Sequence, residues 1–314
     1  MSSTIAIIGG NGFIGKNFSQ YFSEKGYKVM VIDHNVAMIS NTDPNISFHE
    51  IEVRHTQELV TAIKNCDHVI WLVHASIPST KDDSLADDFG INVFPIIKFL
   101  EKAKENPLLK KFIYLSSGGT VYGNSVKHVP IKENHAQTPI SGYGLSKVIA
   151  EKYIEYLTKS CNFESVILRP ANVFGENQNL VRPQGIIGYA FKAIKENHSL
   201  DLYNEGLVVR DFIYVRDVAI AVEKIILGKL EKGKVTCYNV GNNKGYSIKQ
   251  ILEKIEDITG NKLSLNHKSS RDFDCDYNVL DTSKISEELG WKIETELQQG
   301  LEKVWDWIRL GSIN

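Results

Sequence analysis

The stretch IAIIGGNGFIGKNF, residues 5–18, sets Gly9, Gly12 and Gly15 in the spacing GxxGxxG between an apolar β-branched run and a run of helical character. Glycines in that place let the chain leave a strand tightly and enter a helix with no side chain over its first turn. Bare backbone N–H groups and the positive end of the helix dipole then face the same way, which suits a diphosphate. A glycine pattern alone is also an ordinary glycine-rich turn. Context lifts it above that: a strand before, a helix after, and Asp33 at the end of the second strand, eighteen residues beyond Gly15. An acid there accepts hydrogen bonds from ribose hydroxyls and repels a 2′-phosphate, and no arginine follows it, only His34 and Asn35. The expectation is a dinucleotide-binding unit that takes NAD in preference to NADP.

The first two-thirds of the chain alternates short apolar runs with helical patterns, as a doubly wound parallel sheet does. Strands are read at TIAIIG from Thr4, KVMVID ending at Asp33, ISFHEIEV ending at Val53, HVIWLV from His68, KFIYLS from Lys111 and SVILRP from Ser165. Several are apolar throughout, as strands buried on both faces are. Helices are read at about Phe13–Lys25, Gln57–Lys64, Ala86–Lys104 and Gly142–Lys159. After Asn172 the elements shorten: a helix near Ile186–Lys195, RDFIYV with a helix to Leu227, TCYNVG, a helix from Ser247 to Ile258, and the terminal LQQGLEKVWDWI. The expected class is α/β. A Rossmann-type sheet is read over residues 1–172 and parts of 210–245, with a smaller C-terminal substrate-binding lobe over about 173–209 and 246–314. A chain of 314 residues has the length for one large domain with such a lobe.

Lysine and arginine total 36 against 38 aspartate and glutamate, a net charge of -2 with no long run of one sign, which argues against nucleic acid and anionic membrane as partners. Cys66, Cys161, Cys237 and Cys275 are scattered, with no CxxC and no Cys/His cluster, so buried thiols in a reduced compartment are expected and a metal site is not. MSSTIAIIGG has no basic n-region and too short an apolar run for a signal peptide, and no later run approaches the ~18 apolar residues of a membrane span. The chain reads as cytoplasmic.

YGLSK places Tyr143 and Lys147 four apart, on one face of a helix with Cβ atoms about 5–6 Å apart. A phenol that titrates near ~10 acts as a base near neutrality only with roughly 4 kcal/mol of selective phenolate stabilisation. An ammonium nearby and a cationic nicotinamide ring can supply it. A tyrosine and a lysine at this spacing on a surface helix are commonplace; beside a dinucleotide turn they form a candidate catalytic pair. The base needs a hydroxyl partner, and LSSGGTVYG, residues 115–123, offers several.

The motifs GGNGFIG, LSSGGTVYG, YGLSK, LRPANVFG, RDFIYVRDVA and RDFDCDYNVLDTSK followed by LGW stand in a familiar order. From about Thr4 to Ile308 the chain resembles the extended short-chain dehydrogenase/reductases, in particular the NAD-dependent nucleotide-sugar epimerases and dehydratases such as UDP-glucose 4-epimerase. The resemblance implies that Gly9, Gly12, Phe13, Ile14 and Gly15 hold the NAD diphosphate, Asp33 with His34 beside it the adenosine ribose, and Glu52 with Val53 the adenine edge. It implies that Leu72, Val73 and Ala75 line the nicotinamide side, that Ser116 and Pro170 touch the cofactor, and that Lys147 reaches the nicotinamide ribose as well as Tyr143. For a nucleotide-sugar substrate it implies Asn172 at the diphosphate, Arg210, Arg271 and Asp274 at the phosphates and ribose, and Gln184 and Tyr203 around the base. An arginine pair suits bidentate phosphate recognition. Asn278 stands where a bulky residue excludes N-acetyl sugars in some relatives, and its intermediate size admits them. The family also implies a homodimer paired through the tyrosine helix and the one before it.

Three departures stand out. Glu52 replaces the aspartate of many relatives, and WLVH from Trp71 replaces His-Leu-Ala-Ala. Aligned on TVYG, the usual catalytic serine or threonine falls on Gly118, which has no side chain. Thr120 is the favoured substitute, Ser117 the second choice, and a water in the space left by Gly118 the third.

A dehydratase needs an acid and a base beyond the tyrosine, with acidic residues just after the catalytic threonine; here the slot reads Gly118-Gly119-Thr120. Reductive epimerases add a Cys or His in this loop and consume NADPH, which the Asp33 reading disfavours. The expectation is therefore a nucleotide-sugar 4-epimerase for a UDP-hexose or UDP-N-acetylhexosamine, working through a transient 4-keto sugar with bound NAD. The rivals are another NAD-dependent nucleotide-sugar enzyme (4,6-dehydratase, decarboxylase or reductase) and a non-catalytic NAD-binding regulator.

Overall fold

The computed structural model describes residues 3–36, 43–76, 84–124, 129–181, 184–269 and 275–311. In chain order its strands are β1 (Thr4–Ile8), β2 (Lys28–Asp33), β3 (Ile46–Glu50), β4 (His68–Trp71), β5 (Lys111–Leu115), β6 (Glu164–Pro170), β7 (Asn172–Phe174), β8 (Ser199–Tyr203), β9 (Val209–Tyr214), β10 (Val235–Val240), β11 (Gly245–Ser247), β12 (Ser264–Lys268) and β13 (Tyr277–Asn278). Its helices are α1 (Phe13–Glu24), α2 (Thr56–Ala62), α3 (Leu85–Asn92), α4 (Phe94–Ala103), α5 (Gly142–Thr158), α6 (Gly185–Glu196), α7 (Val215–Leu227), α8 (Ile248–Thr259), α9 (Ser283–Leu289) and α10 (Leu297–Arg309).

The runs that are apolar throughout become the central strands: every residue of β4 and of β5 is buried. They belong to a seven-stranded sheet, ordered β10-β6-β5-β4-β1-β2-β3 and parallel at every pair. Side chains alternate across it. In β1, Ile5 and Ile7 join one core with Phe18, Phe22 and Val222, while Ala6 and Ile8 join the other with Trp71, Phe99 and Ile154. Strand order reverses between β1 and β4, so their carboxyl ends frame the crevice where sheets of this kind bind ligands. No described helix is long and apolar enough to cross a membrane.

TCYNVG, within the 210–245 stretch expected to give parts of the Rossmann sheet, is β10, the edge strand of the main sheet beside β6. The smaller layer is built on β9, which pairs with β7, β11 and β13; β8 and β12 form a separate two-stranded sheet. A third core, with Phe174, Phe191, Phe212, Ile251 and Leu301, lies beneath it.

Two elements differ from expectation. The third strand stops at Glu50 and does not reach Val53. The helix expected over Ala86–Lys104 is two, α3 and α4, divided at Val93 with Pro95 in the first turn of α4. Proline has no N–H to donate and its ring crowds the carbonyl four residues back. The hydrophobic spacing runs on through the break, so Pro95 was its only sequence signal.

Phe99 from α4 is fully buried against Trp71 and Phe112, with ring centroids 5.3 and 5.8 Å away. Phe99→Ala is expected to cost about 3–5 kcal/mol, read as a lower denaturant midpoint with an unchanged slope.

Candidate active site

Gly9, just after β1, has φ +82°, and a Cβ there would stand 2.9 Å from the Val73 side chain and 3.0 Å from its backbone nitrogen. A side chain at residue 9 would fill the crevice and push β4 away. Gly12 caps α1 without any side-chain hydrogen bond, so the helix presents its first-turn backbone, Phe13, Ile14 and Gly15, uncovered. Asp33 closes the far side: one carboxylate oxygen accepts from Asn11 N at 3.0 Å and the other from His34 N at 2.8 Å. A carboxylate offers about four lone-pair sites, so capacity remains for ribose hydroxyls. Ile51 N donates to Asp33 O at 2.9 Å, which brings half-buried Glu52 and buried Val53 alongside. Asn11 Oδ1 is buried without a hydrogen-bond partner. A cradle that one Cβ would fill, an uncapped helix start and an acid at the second strand's end fit a bound dinucleotide.

Beyond β4, Leu72 N donates to Ile8 O at 2.9 Å and Ala75 N to Asn92 Oδ1 at 2.7 Å, so this segment is fixed at both ends. Between them stands His74, whose ring meets Tyr143 edge-on with centroids 4.5 Å apart. Both its ring nitrogens are buried without a hydrogen-bond partner. Burial, aided by the charge of Lys147, pushes its pKa down to about 2. Sequence reasoning took Leu72, Val73 and Ala75 and passed over His74; the departure from the family pattern at WLVH was the signal.

Ser141 caps α5 by accepting from Gly144 N at 3.2 Å, which starts the helix so that Tyr143 falls in its first turn and Lys147 one turn on. Burial pushes the Tyr143 phenol up to about 12, and a hydrogen bond with the Ser117 side chain opposes this. Lys147 Nζ donates to Leu115 O at 2.8 Å and lies 5.8 Å from the Tyr143 ring centre. Burial lowers its pKa to about 7, against the opposing pull of Glu151 and Asp88.

A Cβ at Gly118 would stand 2.5 Å from Leu280 Cδ1 and 3.0 Å from Arg169 O. The place of a Cβ on residue 118 is thus taken by the Leu280 side chain. Gly118 is instead clamped by its backbone, N to Pro170 O at 2.8 Å and O accepting from Asn278 Nδ2 at 3.1 Å. It is Ser117 that meets the phenol; the Thr120 hydroxyl, the first choice from sequence, is buried without a partner. Ser116 also departs from expectation. Its hydroxyl donates to Glu151 Oε1 at 2.5 Å inside a buried network, in which Arg169 binds the same carboxylate at 2.5 and 3.0 Å. It therefore faces the core and not the cofactor crevice.

On the smaller layer, β7, β9 and β13 bring Asn172, Arg210 and Asn278 together: Arg210 and Asn278 are direct register partners, and Asn172 Nδ2 donates to Asp211 O at 2.8 Å. A Cβ at Gly119 would lie 3.7 Å from Asn172 Oδ1 and 3.9 Å from Ser117 Oγ, so this group adjoins the catalytic loop. Asn278 is fully buried and supports Gly118, which differs from a residue lining an open sugar pocket. Exposed Gln184 begins α6 and half-buried Tyr203 ends β8, on separate elements. Arg271 and Asp274 lie outside the described residues.

Lys147 gives a pH signature. Its folded pKa, about 7, lies below its unfolded value of about 10.5, so between those limits the unfolded chain binds the extra proton and stability rises with pH. In nucleotide-free protein the unfolding free energy of the wild type is expected to gain on that of Lys147→Met from pH 7 to 8.5, by at most about 1.4 kcal/mol per pH unit. Parallel curves would remove the lysine from this role.

Comparison with known proteins agrees with this geometry. The family model described as the NAD dependent epimerase/dehydratase family matches residues 5–241. A protein of Methanocaldococcus jannaschii, provisionally named UDP-glucose 4-epimerase, is 31% identical over 309 residues, 97% of this chain and 98% of its own. The dTDP-4-dehydro-6-deoxyglucose reductase of Escherichia coli is 28% identical over 316 residues, 97% of each. The crystal structure of the UDP-glucose 4-epimerase of Thermotoga maritima with UDP-glucose superposes with a TM-score of 0.89 at 27% identity, covering 98% of this chain and 99% of that one. The chain belongs to the NAD dependent epimerase/dehydratase family.

Proposed function

We propose that this protein is a nucleotide-sugar 4-epimerase that works with bound NAD on a UDP-hexose or UDP-N-acetylhexosamine. One observation carries the reading: Tyr143 and Lys147 stand one turn apart beside the loop of Ser117, where Gly118 and Gly119 provide no carboxyl or thiol for elimination. The Methanocaldococcus and Thermotoga relatives support a UDP-sugar as substrate.

When bound, NAD⁺ supplies the acceptor for the hydrogen at sugar C4 and gives it back. Gly9, Gly12, Phe13, Ile14 and Gly15 would hold its diphosphate, Asp33 its adenosine ribose and Lys147 its nicotinamide ribose. Tyr143, as phenolate, takes the C4 hydroxyl proton while Ser117 holds the phenol oxygen, then returns the proton once the 4-keto sugar has turned over. Asn172 and Arg210 anchor the substrate diphosphate during that turn. A phenol that starts at about 12 needs about 7 kcal/mol to become a base near pH 7, more than a solvated one. A lysine at about 7 is partly protonated there, so its ammonium contributes beside the cationic nicotinamide.

A second reading is a reductase, favoured by the Escherichia coli relative. It would use the same tyrosine only as a proton donor. Leu85, Ile91 and Phe94 on α3 and α4, with Leu145, Tyr153 and Tyr156 on α5, are exposed by 40% or more, which supports a homodimer paired through these helices. We read the enzyme as cytoplasmic.

Incubated with UDP-sugars, the protein is expected to form an isomer of equal mass without added NADH; stoichiometric NADH oxidation on a 4-keto sugar nucleotide without isomerisation would replace the reading by the reductase. Tyr143→Phe should lower kcat by about 10²–10⁴-fold and Ser117→Ala by at least about tenfold. A greater loss in Thr120→Ala than in Ser117→Ala would return the hydroxyl role to Thr120. Sedimentation should give twice the chain mass, and Phe94→Glu should halve it.

A further inference from the structure

His74 is not used by that mechanism, yet its surroundings are specific. Val73 packs on Gly9 of the diphosphate turn, and Ala75 N is tied to Asn92, so residue 74 is held at the switch-point crevice between them. Its ring is pinned edge-on against Tyr143, and the charge of Lys147 acts on it. Both nitrogens are shut from solvent and make no hydrogen bond. A buried polar group without a partner is costly, so one kept in a folded protein calls for an explanation, and at this crevice a bound ligand supplies it. Burial holds the imidazole neutral, so it offers one N–H donor and one bare nitrogen acceptor. That pair suits an uncharged group with both functions, such as a ribose hydroxyl or a carboxamide, and not a phosphate. The residues proposed for the substrate, Asn172 and Arg210, are on β7 and β9 of the smaller layer, whereas residue 74 follows β4 of the main sheet. His74 stands on the dinucleotide's side.

We propose that His74 is a cofactor-binding residue that hydrogen-bonds the nicotinamide riboside end of the dinucleotide and helps hold it against Tyr143. The inference rests on the NAD-dependent reading of the site and adds a residue to it. Atoms donated by the ligand complete both ring nitrogens, and the edge-on contact with the phenol fixes the ring plane in advance.

The test measures NADH binding by nicotinamide fluorescence and UDP binding by calorimetry, in wild type, in His74→Phe, which keeps a flat ring without nitrogens, and in His74→Asn, which keeps a donor and an acceptor. His74→Leu replaces His74→Phe should the latter not fold. His74→Phe is expected to weaken NADH binding by about tenfold or more, and His74→Asn by less, with UDP affinity within about twofold of wild type in both. Nucleotide-free His74→Phe should melt no lower than wild type, since the unpaired nitrogens are gone; a merely structural histidine would lower it. Unchanged NADH affinity in His74→Phe, with wild type binding NADH normally, overturns the inference and leaves the cofactor reading intact. A loss confined to UDP assigns His74 to the sugar nucleotide and also overturns it. Failure of wild type to bind NADH refutes the cofactor reading and this inference with it.

Discussion

Burial of Tyr143 and Lys147 one turn apart on α5 is the constraint on which the site depends. Low polarity drives both toward their neutral forms, the phenol up to about 12 and the ammonium down to about 7. Added positive charge in the crevice favours the phenolate directly, so chemistry is tied to a cationic partner lying where the glycine turn and Asp33 open. In the proposed mechanism, desolvation therefore couples proton transfer at Tyr143 to occupancy of the crevice.

The frame that holds this pair is polar and buried. Glu151, one turn beyond Lys147, is locked to Arg169 of β6 and to Ser116, so α5 cannot slide along the sheet without breaking an ion pair that has no solvent to replace it. Arg169 continues to Tyr122 at 2.8 Å and thence to Asn239 of β10 at 2.7 Å. The tyrosine helix is thereby registered against β6 and, through Tyr122, the edge strand β10.

The loop that offers the hydroxyl obeys a different constraint. Leu280, which follows β13, occupies the place where a side chain on residue 118 would go, and Asn278 holds the carbonyl of that residue. The smaller layer thus decides which hydroxyl of the loop meets the phenol. Asp211, in the same layer, is a fully buried carboxyl pushed up to about 7 that accepts the N–H groups of Asn242 and Leu280 at 2.8 and 3.2 Å. It stitches β9 to the segments on either side, and its own carbonyl accepts from Asn172, which lies near Ser117.

The sequence by itself determined whatever depends on local spacing. The glycine turn, the acid after the second strand and the tyrosine–lysine pair follow from residues three, four and eighteen apart, and the buried parallel strands follow from uninterrupted apolar runs. It was ambiguous where a break is invisible to periodicity, as at Val93, where Pro95 outweighs a continuous helical pattern. Only the tertiary structure decided the outcomes that depend on residues far apart in the chain. Leu280 takes the place of a side chain at Gly118, Glu151 turns Ser116 inward, and His74 is pressed against Tyr143. The physical reason is that side-chain direction and burial are set by packing between elements, and spacing along the chain carries no record of which distant residue fills a given space.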